Sequence, residues 1–74
     1  MDDKEVLRWM GLMGHPFAVT MDDGKGGRSS HAEVNTEAQG IKYAKEVSNG
    51  RVYARTSKGW RLTASFPNAS KATA

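Results

Sequence analysis

The chain has 74 residues and no cysteine, so it forms one small domain without disulfides or thiolate metal sites. Its composition, 38% hydrophobic and 26% charged, is typical of a folded globular protein. No apolar run approaches the roughly eighteen residues of a membrane-spanning helix, and the acidic start is the reverse of an export signal, so we expect a cytoplasmic protein. A chain this short leaves little wall for a catalytic pocket, which favours a binding module over an enzyme.

The net charge of +3 is concentrated in the last third of the chain. Residues 51–74 contain five Lys and Arg and no acid, whereas the earlier stretches are neutral or slightly negative. This asymmetry predicts an anionic partner on that side of the protein, with nucleic acid as the first choice. The alternative is a solvated sheet face whose charges serve only solubility.

The first predicted element is a helix over residues 3–13. Asp2 or Asp3 can accept hydrogen bonds from the opening N–H groups, where the helix dipole favours negative charge. Gly14 supplies a stop, and Pro16 cannot continue a helix. The apolar residues recur every three or four positions, which predicts a broad buried side: Val6, Leu7, Trp9, Met10, Leu12 and Met13.

A short strand and a flexible loop are predicted next. Residues 17–21 alternate and lie between a proline and an Asp-Gly pair, which indicates a strand. Residues 22–30 are rich in Gly and Asp, so we expect a flexible loop. Ser30 and Glu33 have the spacing of a capping box, so the following stretch is either a very short helix or the strand that returns from the loop.

A second helix is predicted over residues 36–48, capped by Asn35 or Thr36. Gly40 weakens this helix by about 1 kcal/mol relative to Ala. Either the helix tolerates that cost, or position 40 approaches another backbone or a partner closely. The side expected to be buried is apolar: Val34, Ala38, Ile41, Ala44 and Val47.

Two further strands, over residues 51–56 and 60–66, are predicted to form a hairpin with Lys58 at its tip. Strict alternation places four apolar side chains of the second strand on one face: Trp60, Leu62, Ala64 and Phe66. Burying that face with Val52 leaves a basic outer surface: Arg51, Tyr53, Arg55 and Arg61. The tail over residues 67–74 is small and polar and is expected to fray.

The predicted fold class is therefore α+β. We expect a single domain over residues 1–66, with an N-terminal helix, a short strand, a second helix and a C-terminal β-hairpin.

Residues 36–63 resemble the second half of a winged-helix domain, in which a helix is followed by a two-stranded wing. The sequences GRVYAR (50–55) and GWRLT (59–63) are similar to the wing strands of many such regulators. More loosely, the length and element order resemble small phage-encoded winged-helix-like proteins that inhibit host RNA polymerase. The resemblance implies duplex DNA as a ligand, with residues 36–48 as the recognition helix and Gln39, Lys42 and Lys45 reaching bases or phosphates. It also implies wing contacts to phosphates from Arg55, Lys58 and Arg61.

Three functional hypotheses remain open from the sequence. The first is a DNA-binding regulator, which at this size would need a dimer or adjacent sites for useful affinity. The second is a protein of mobile-element origin that inhibits a host complex such as RNA polymerase or a defence complex, with Trp60, Tyr53 or Trp9 as an aromatic anchor. The third is RNA binding through the Tyr53-bearing face of the hairpin.

No catalytic or metal-binding constellation accompanies these features. His15 and His31 are the only imidazoles and have no partner at a ligand spacing, so no metal and no cofactor is expected. The predicted nucleic-acid or partner-binding residues are Gln39, Lys42, Lys45, Arg51, Tyr53, Arg55, Lys58 and Arg61.

Overall fold

The computed structural model describes residues 2–10 and 14–67, and this part of the chain forms a small α+β domain. It contains two helices and one four-stranded antiparallel sheet. The predicted first helix, residues 3–13, ends at Trp9, and Met10 is already extended, so the prediction is wrong at that residue. Residues 11–13 of that helix and residues 68–74 of the predicted tail lie outside the described residues. The elements in chain order are α1 (Asp3–Trp9), β1 (Phe17–Asp22), β2 (Arg28–Val34), α2 (Glu37–Ala44), β3 (Gly50–Thr56) and β4 (Gly59–Phe66).

The strand order in the sheet is β2-β1-β3-β4, so β1 and β3 are central and β2 and β4 are the edges. The segment after the glycine-rich loop is the returning strand, not the short helix that its capping-box spacing also allowed. Because β1 continues to Asp22 and β2 begins at Arg28, the connection is confined to residues 23–27. The Asp23 carboxylate accepts hydrogen bonds from the N–H groups of Lys25 and Gly27, which closes this turn.

The two helices pack on opposite faces of the sheet. Successive strand residues point to opposite faces, and the neighbours Ala18 and Val19 on β1 belong to two separate apolar clusters. One face, the α1 face, buries Ala18 against Val6 and Leu7 of α1 and against Met10, which follows the helix. The other, the α2 face, buries Val19 and Val52 against Ala44 of α2, with Ile41 beside them. Each face of the sheet therefore packs against one short helix.

The helix α2 begins where predicted but ends early. The Thr36 hydroxyl accepts a hydrogen bond from the Gln39 N–H at 3.2 Å, which caps the first turn. The helix ends at Ala44, so the prediction of a helix continuing to residue 48 is wrong. The chain must turn here, since the Ser48 carbonyl accepts a hydrogen bond from the Asp22 N–H at 3.0 Å. Asn49, with a φ of 54°, then leads into β3.

Gly40 marks a close approach between α2 and the sheet. A Cβ atom at this position would lie 2.9 Å from Cγ1 of Val52. Gly40 is itself buried, whereas the predicted core residue Ala38 is exposed. The helix therefore carries glycine because its backbone lies directly on β3.

A β-bulge in β4 changes which side chains share a face. Val52 pairs with Ala64 while Tyr53 pairs with Leu62, so Thr63 is an extra residue in β4. Trp60 consequently packs with the α1-face cluster, and Ala64 and Phe66 pack with the α2-face cluster. The prediction that the four apolar side chains of β4 share one face is wrong, because an inserted residue reverses the alternation beyond it.

Candidate functional site

The register of the hairpin divides the predicted basic surface between the two faces of the sheet. Arg51, Tyr53 and Arg55 alternate along β3 and lie on the α1 face, as Tyr53 pairs with Ala18. Arg61 pairs with Ala54 and therefore lies on the α2 face. The prediction of one outer surface carrying all four side chains is wrong, because the hairpin turns in two residues, 57–58, and not in the three residues between the predicted strands.

Trp60 lies beside the β3 side chains and not beneath them. Its cross-strand partner is Arg55, whose guanidinium carbon lies 5.1 Å from the centre of the Trp60 ring. This distance is within the range of a cation–π interaction. The indole Nε1–H donates a hydrogen bond to the Leu7 carbonyl at 3.2 Å. The half-buried ring is thus held between α1 and the arginine.

A buried acid, Asp3, connects the start of α1 to side chains of β2 and β3. Its carboxylate accepts hydrogen bonds from Arg28 Nε at 2.8 Å, Arg51 Nη1 at 2.8 Å and Tyr53 Oη at 2.5 Å. Only 8% of Asp3 is exposed. Desolvation opposes ionisation of this carboxyl, but the hydrogen bonds from Arg28, Tyr53 and Arg51 outweigh it and lower the pKa of Asp3 to about 2. Arg51, one of the predicted binding residues, is paired with this carboxylate.

Arg28 extends the same network to the far side of β1. Its Nη1 atom lies 2.8 Å from Asp22, and its Nη2 atom donates a hydrogen bond to the Thr20 hydroxyl at 2.9 Å. The hydrogen bond from Arg28 lowers the pKa of Asp22. Within residues 2–10 and 14–67, every buried side-chain nitrogen and oxygen has a hydrogen-bond partner. The network is therefore a satisfied structural element, and such completeness is what a buried charge requires.

The Tyr53 hydroxyl donates its hydrogen bond to Asp3, whereas the residue as a whole is only partly buried. Desolvation, followed by the hydrogen bond to Asp3, raises the pKa of Tyr53 above its ordinary value. The neutral phenol therefore persists across the physiological range. What Tyr53 can offer a ligand is its ring.

Three exposed cations lie at the end of the hairpin. We define the hairpin end as residues 55–61. It presents Arg55 on the α1 face, Lys58 in the turn and Arg61 on the α2 face, all exposed. Residues 51–67 contain no acid. The pairing between β1 and β3 stops at Ala54, and Arg55 N–H bonds to the Pro16 carbonyl at 2.8 Å, so the turn extends past its neighbouring strand.

The predicted residues of α2 lie away from the hairpin end. Gln39, Lys42 and Lys45 are exposed, but the Lys45 ammonium lies 5.5 Å from the ring of Phe66. Phe66 ends β4, about 23 Å along the strand from the turn at a rise of roughly 3.3 Å per residue. The eight predicted residues thus lie in three places: on α2 or just after it, on the α1 face of β3, and at the hairpin end.

Sequence reasoning missed several residues that shape these surfaces. Leu62 and Trp9 were both predicted to be buried, and this is wrong: Leu62, beside Tyr53 on the α1 face, is 50% exposed, and Trp9 on α1 is 66% exposed. Asp3 precedes Val6 and Leu7 by three and four positions, so its helical spacing could have placed it on the buried side of α1. Nothing in the local sequence of Arg28 indicates that it is buried.

No protein-family model, curated protein or solved structure matches this chain. Among the residues that the structure describes, no three His, Asp or Glu side chains gather closely enough to hold a metal ion. Neither of the helices described is long and apolar enough to cross a membrane.

Proposed function

We propose that this protein binds nucleic acid through the hairpin end, with Arg55, Lys58 and Arg61 contacting phosphates. The observation that carries the proposal is the set of three exposed cations on an extended turn, in a stretch of the chain without an acid. Cations on both faces and at the tip can meet phosphates on either side of the hairpin. Phosphate contacts supply most of the affinity of such modules.

The winged-helix arrangement belongs to this proposal. An α2 helix followed by the β3–β4 hairpin has the order of a recognition helix and its wing, and duplex DNA is the ligand that this order suggests. In the described part of the chain, however, the element before α2 is the strand β2. The proposal therefore assigns the main contacts to the hairpin and a supporting role to Gln39 and Lys42 of α2. Regulation of transcription would follow from occupancy of a DNA site.

The test is a titration of labelled duplex and single-stranded oligonucleotides at about 50 and about 200 mM salt. For duplex DNA, three phosphate contacts predict that the logarithm of the binding constant falls with the logarithm of the salt concentration with a slope of about −3. The double variant Arg55→Ala/Arg61→Ala should lose most of this affinity. Lys25→Ala is the matched control, because Lys25 is an exposed cation in the β1–β2 turn. Absence of binding to every oligonucleotide at the lower salt concentration would refute the proposal.

A second function, binding to a protein complex, is favoured by one observation. Trp9 is 66% exposed on α1, and exposed tryptophans often anchor protein interfaces. An inhibitor of a host complex such as RNA polymerase would use this side chain in place of the hairpin cations. Co-elution of the protein with purified RNA polymerase, lost in Trp9→Ala and retained in Arg55→Ala/Arg61→Ala, would support this alternative.

A further inference from the structure

We propose that the ligand is an unpaired nucleic-acid strand lying across the α1 face of β3 and β4. This inference rests on the proposed function and narrows it to one class of ligand. It depends on side chains that the register of the hairpin brings together, and not on the charge of the hairpin end alone.

The α1 face of the hairpin is a strip of three cross-strand pairs. Arg55 pairs with Trp60, Tyr53 with Leu62, and Arg51 with Ser65. The strip from position 51 to position 55 is about 13 Å long at roughly 3.3 Å per residue. The two-residue turn at residues 57–58 sets Arg55 opposite Trp60, so both side chains share the α1 face with Tyr53. The register of this turn therefore creates a surface on which cationic and aromatic side chains alternate.

Among the described residues, this strip is only partly covered, because α1 lies mainly over β2 and β1. Arg55 is exposed, whereas Tyr53 and Trp60 pack against the side of α1. Between them is a shallow cavity of about 270 Å³, with Lys4 exposed at its rim and Leu7 at its base. Ligand pockets for drug-sized molecules start near roughly 300 Å³, so this cavity suits a single planar base.

Bases expose their flat faces only where they are unpaired, and they then stack on aromatic rings or on arginine planes. Tyr53 and Trp60 are half-buried and held in place by Asp3 and by the Leu7 carbonyl, so little side-chain freedom is lost on binding. Arg55, stacked over Trp60, presents a guanidinium plane beside them. In a duplex the flat faces of the bases stack on one another, so the Tyr53 and Trp60 rings would have no base to stack on.

The two classes of ligand make different demands on Arg55 and Arg61. A strand on the α1 face meets Arg55 and passes on the opposite side of the sheet from Arg61. A duplex held by the hairpin end alone would contact both arginines through phosphates. Comparison of these two single variants therefore distinguishes the ligands with matched changes of charge.

The first measurement uses the Trp9→Phe variant, which leaves Trp60 as the single tryptophan. Trp9 is exposed, so this change should leave the fold intact. An oligothymidylate of about twelve nucleotides should quench Trp60 fluorescence, because a stacked base lies against or beside the ring. Binding of this strand without a change in Trp60 fluorescence would overturn the inference.

The second measurement compares affinities for the oligothymidylate, an oligouridylate of equal length and a duplex of equal length. Either single strand should bind at least about tenfold more tightly than the duplex. The strand that binds more tightly shows whether the protein prefers DNA or RNA. Arg55→Ala should weaken strand binding about fivefold or more, and Arg61→Ala markedly less. Duplex binding as tight as strand binding, or equal losses in both variants, would overturn this inference and leave the proposed function standing. Failure of all three ligands would refute the proposed function itself.

Discussion

The Asp3 carboxylate and the Arg28 guanidinium form an ion pair, with 2.8 Å between Oδ1 and Nε, and both side chains are about 8% exposed. Asp3 is the first residue of α1, and Arg28 is the first residue of β2. The pair therefore fixes the start of α1 on the sheet. Because the Asp3 carboxylate also holds Arg51 and Tyr53, the same contact sets the position of α1 beside the β3–β4 strip.

Replacement of Asp3 by Asn should destabilise the protein strongly. The variant removes the buried one of the two carboxylates paired with the Arg28 guanidinium, and breaking a buried pair costs about 3 kcal/mol or more. Urea denaturation measures the change in the free energy of unfolding. Glu5→Gln, an exposed position on the same helix, is the control. A free energy of unfolding for Asp3→Asn equal to that of the control would show that the pair contributes no net stability.

Acid should unfold the protein through Asp3. Its pKa is lowered from 3.8 to about 2, so the folded state favours the ionised form. The resulting stability is fully present above the ordinary pKa and is lost as the pH falls from about 4 through about 2. Thermal midpoints measured across this range should fall more steeply for the wild type than for Asp3→Asn. Parallel curves for the two proteins would contradict the assignment.

High pH should destabilise the folded protein by deprotonating Tyr53. Its pKa is raised above 10.0, so the folded state favours the neutral phenol. The stability that this contributes is present below the ordinary value and is lost as the pH rises through the raised pKa. Phenolate absorbance of the wild type minus that of Tyr53→Phe isolates the transition of this residue. A midpoint at or below 10.0 in the folded protein would be inconsistent with the hydrogen bond to Asp3.

Alanine should be tolerated far worse at position 50 than at position 40. A Cβ atom on Gly50 would lie 2.1 Å from the Ala44 carbonyl oxygen, which is backbone and cannot move aside locally. On Gly40 it would meet the end of the Val52 side chain at 2.9 Å, and the helix would gain about 1 kcal/mol of propensity. We expect Gly50→Ala to cost about 3 kcal/mol or more and Gly40→Ala clearly less. Equal denaturation midpoints would contradict the described join between α2 and β3.

The local features of this fold could be predicted from sequence because caps and turns act within a few residues. Thr36 caps α2, and Asp2 caps α1 through the Glu5 N–H. The β3–β4 hairpin turns where predicted, but in two residues, 57–58, and not in the predicted three. The end of α2 could not be predicted in this way. It depends on the contact of Ala44 with Gly50 and on the bond between Asp22 and Ser48, which form only once the sheet is assembled.

The composition of the candidate site was the least predictable part. The sequence of β4 alternates apolar and polar residues without a break, so nothing local reveals that Thr63 is inserted. That residue places Ala64 and Phe66 on the α2 face, whereas the two-residue turn sets Trp60 on the face of Tyr53 and Arg61 on the other. The pairing of Arg28 with Asp3 joins residues 25 positions apart, and no spacing rule reaches so far. The exposed cations Arg55 and Lys58 were found correctly as exposed residues, since a turn and a charge-rich strand require no tertiary information.

Amide chemical shifts of the labelled protein, followed during titration with the oligothymidylate, test the central claim most directly. Binding on the β3–β4 strip should shift the amides of residues 53–62, with the largest changes near Arg55 and Trp60. The amides of Gln39 and Lys42 on α2, which have only a supporting role in the proposed function, should shift less. Shifts confined to α2, or no shifts at low salt, would contradict this account of the hairpin as the nucleic-acid contact.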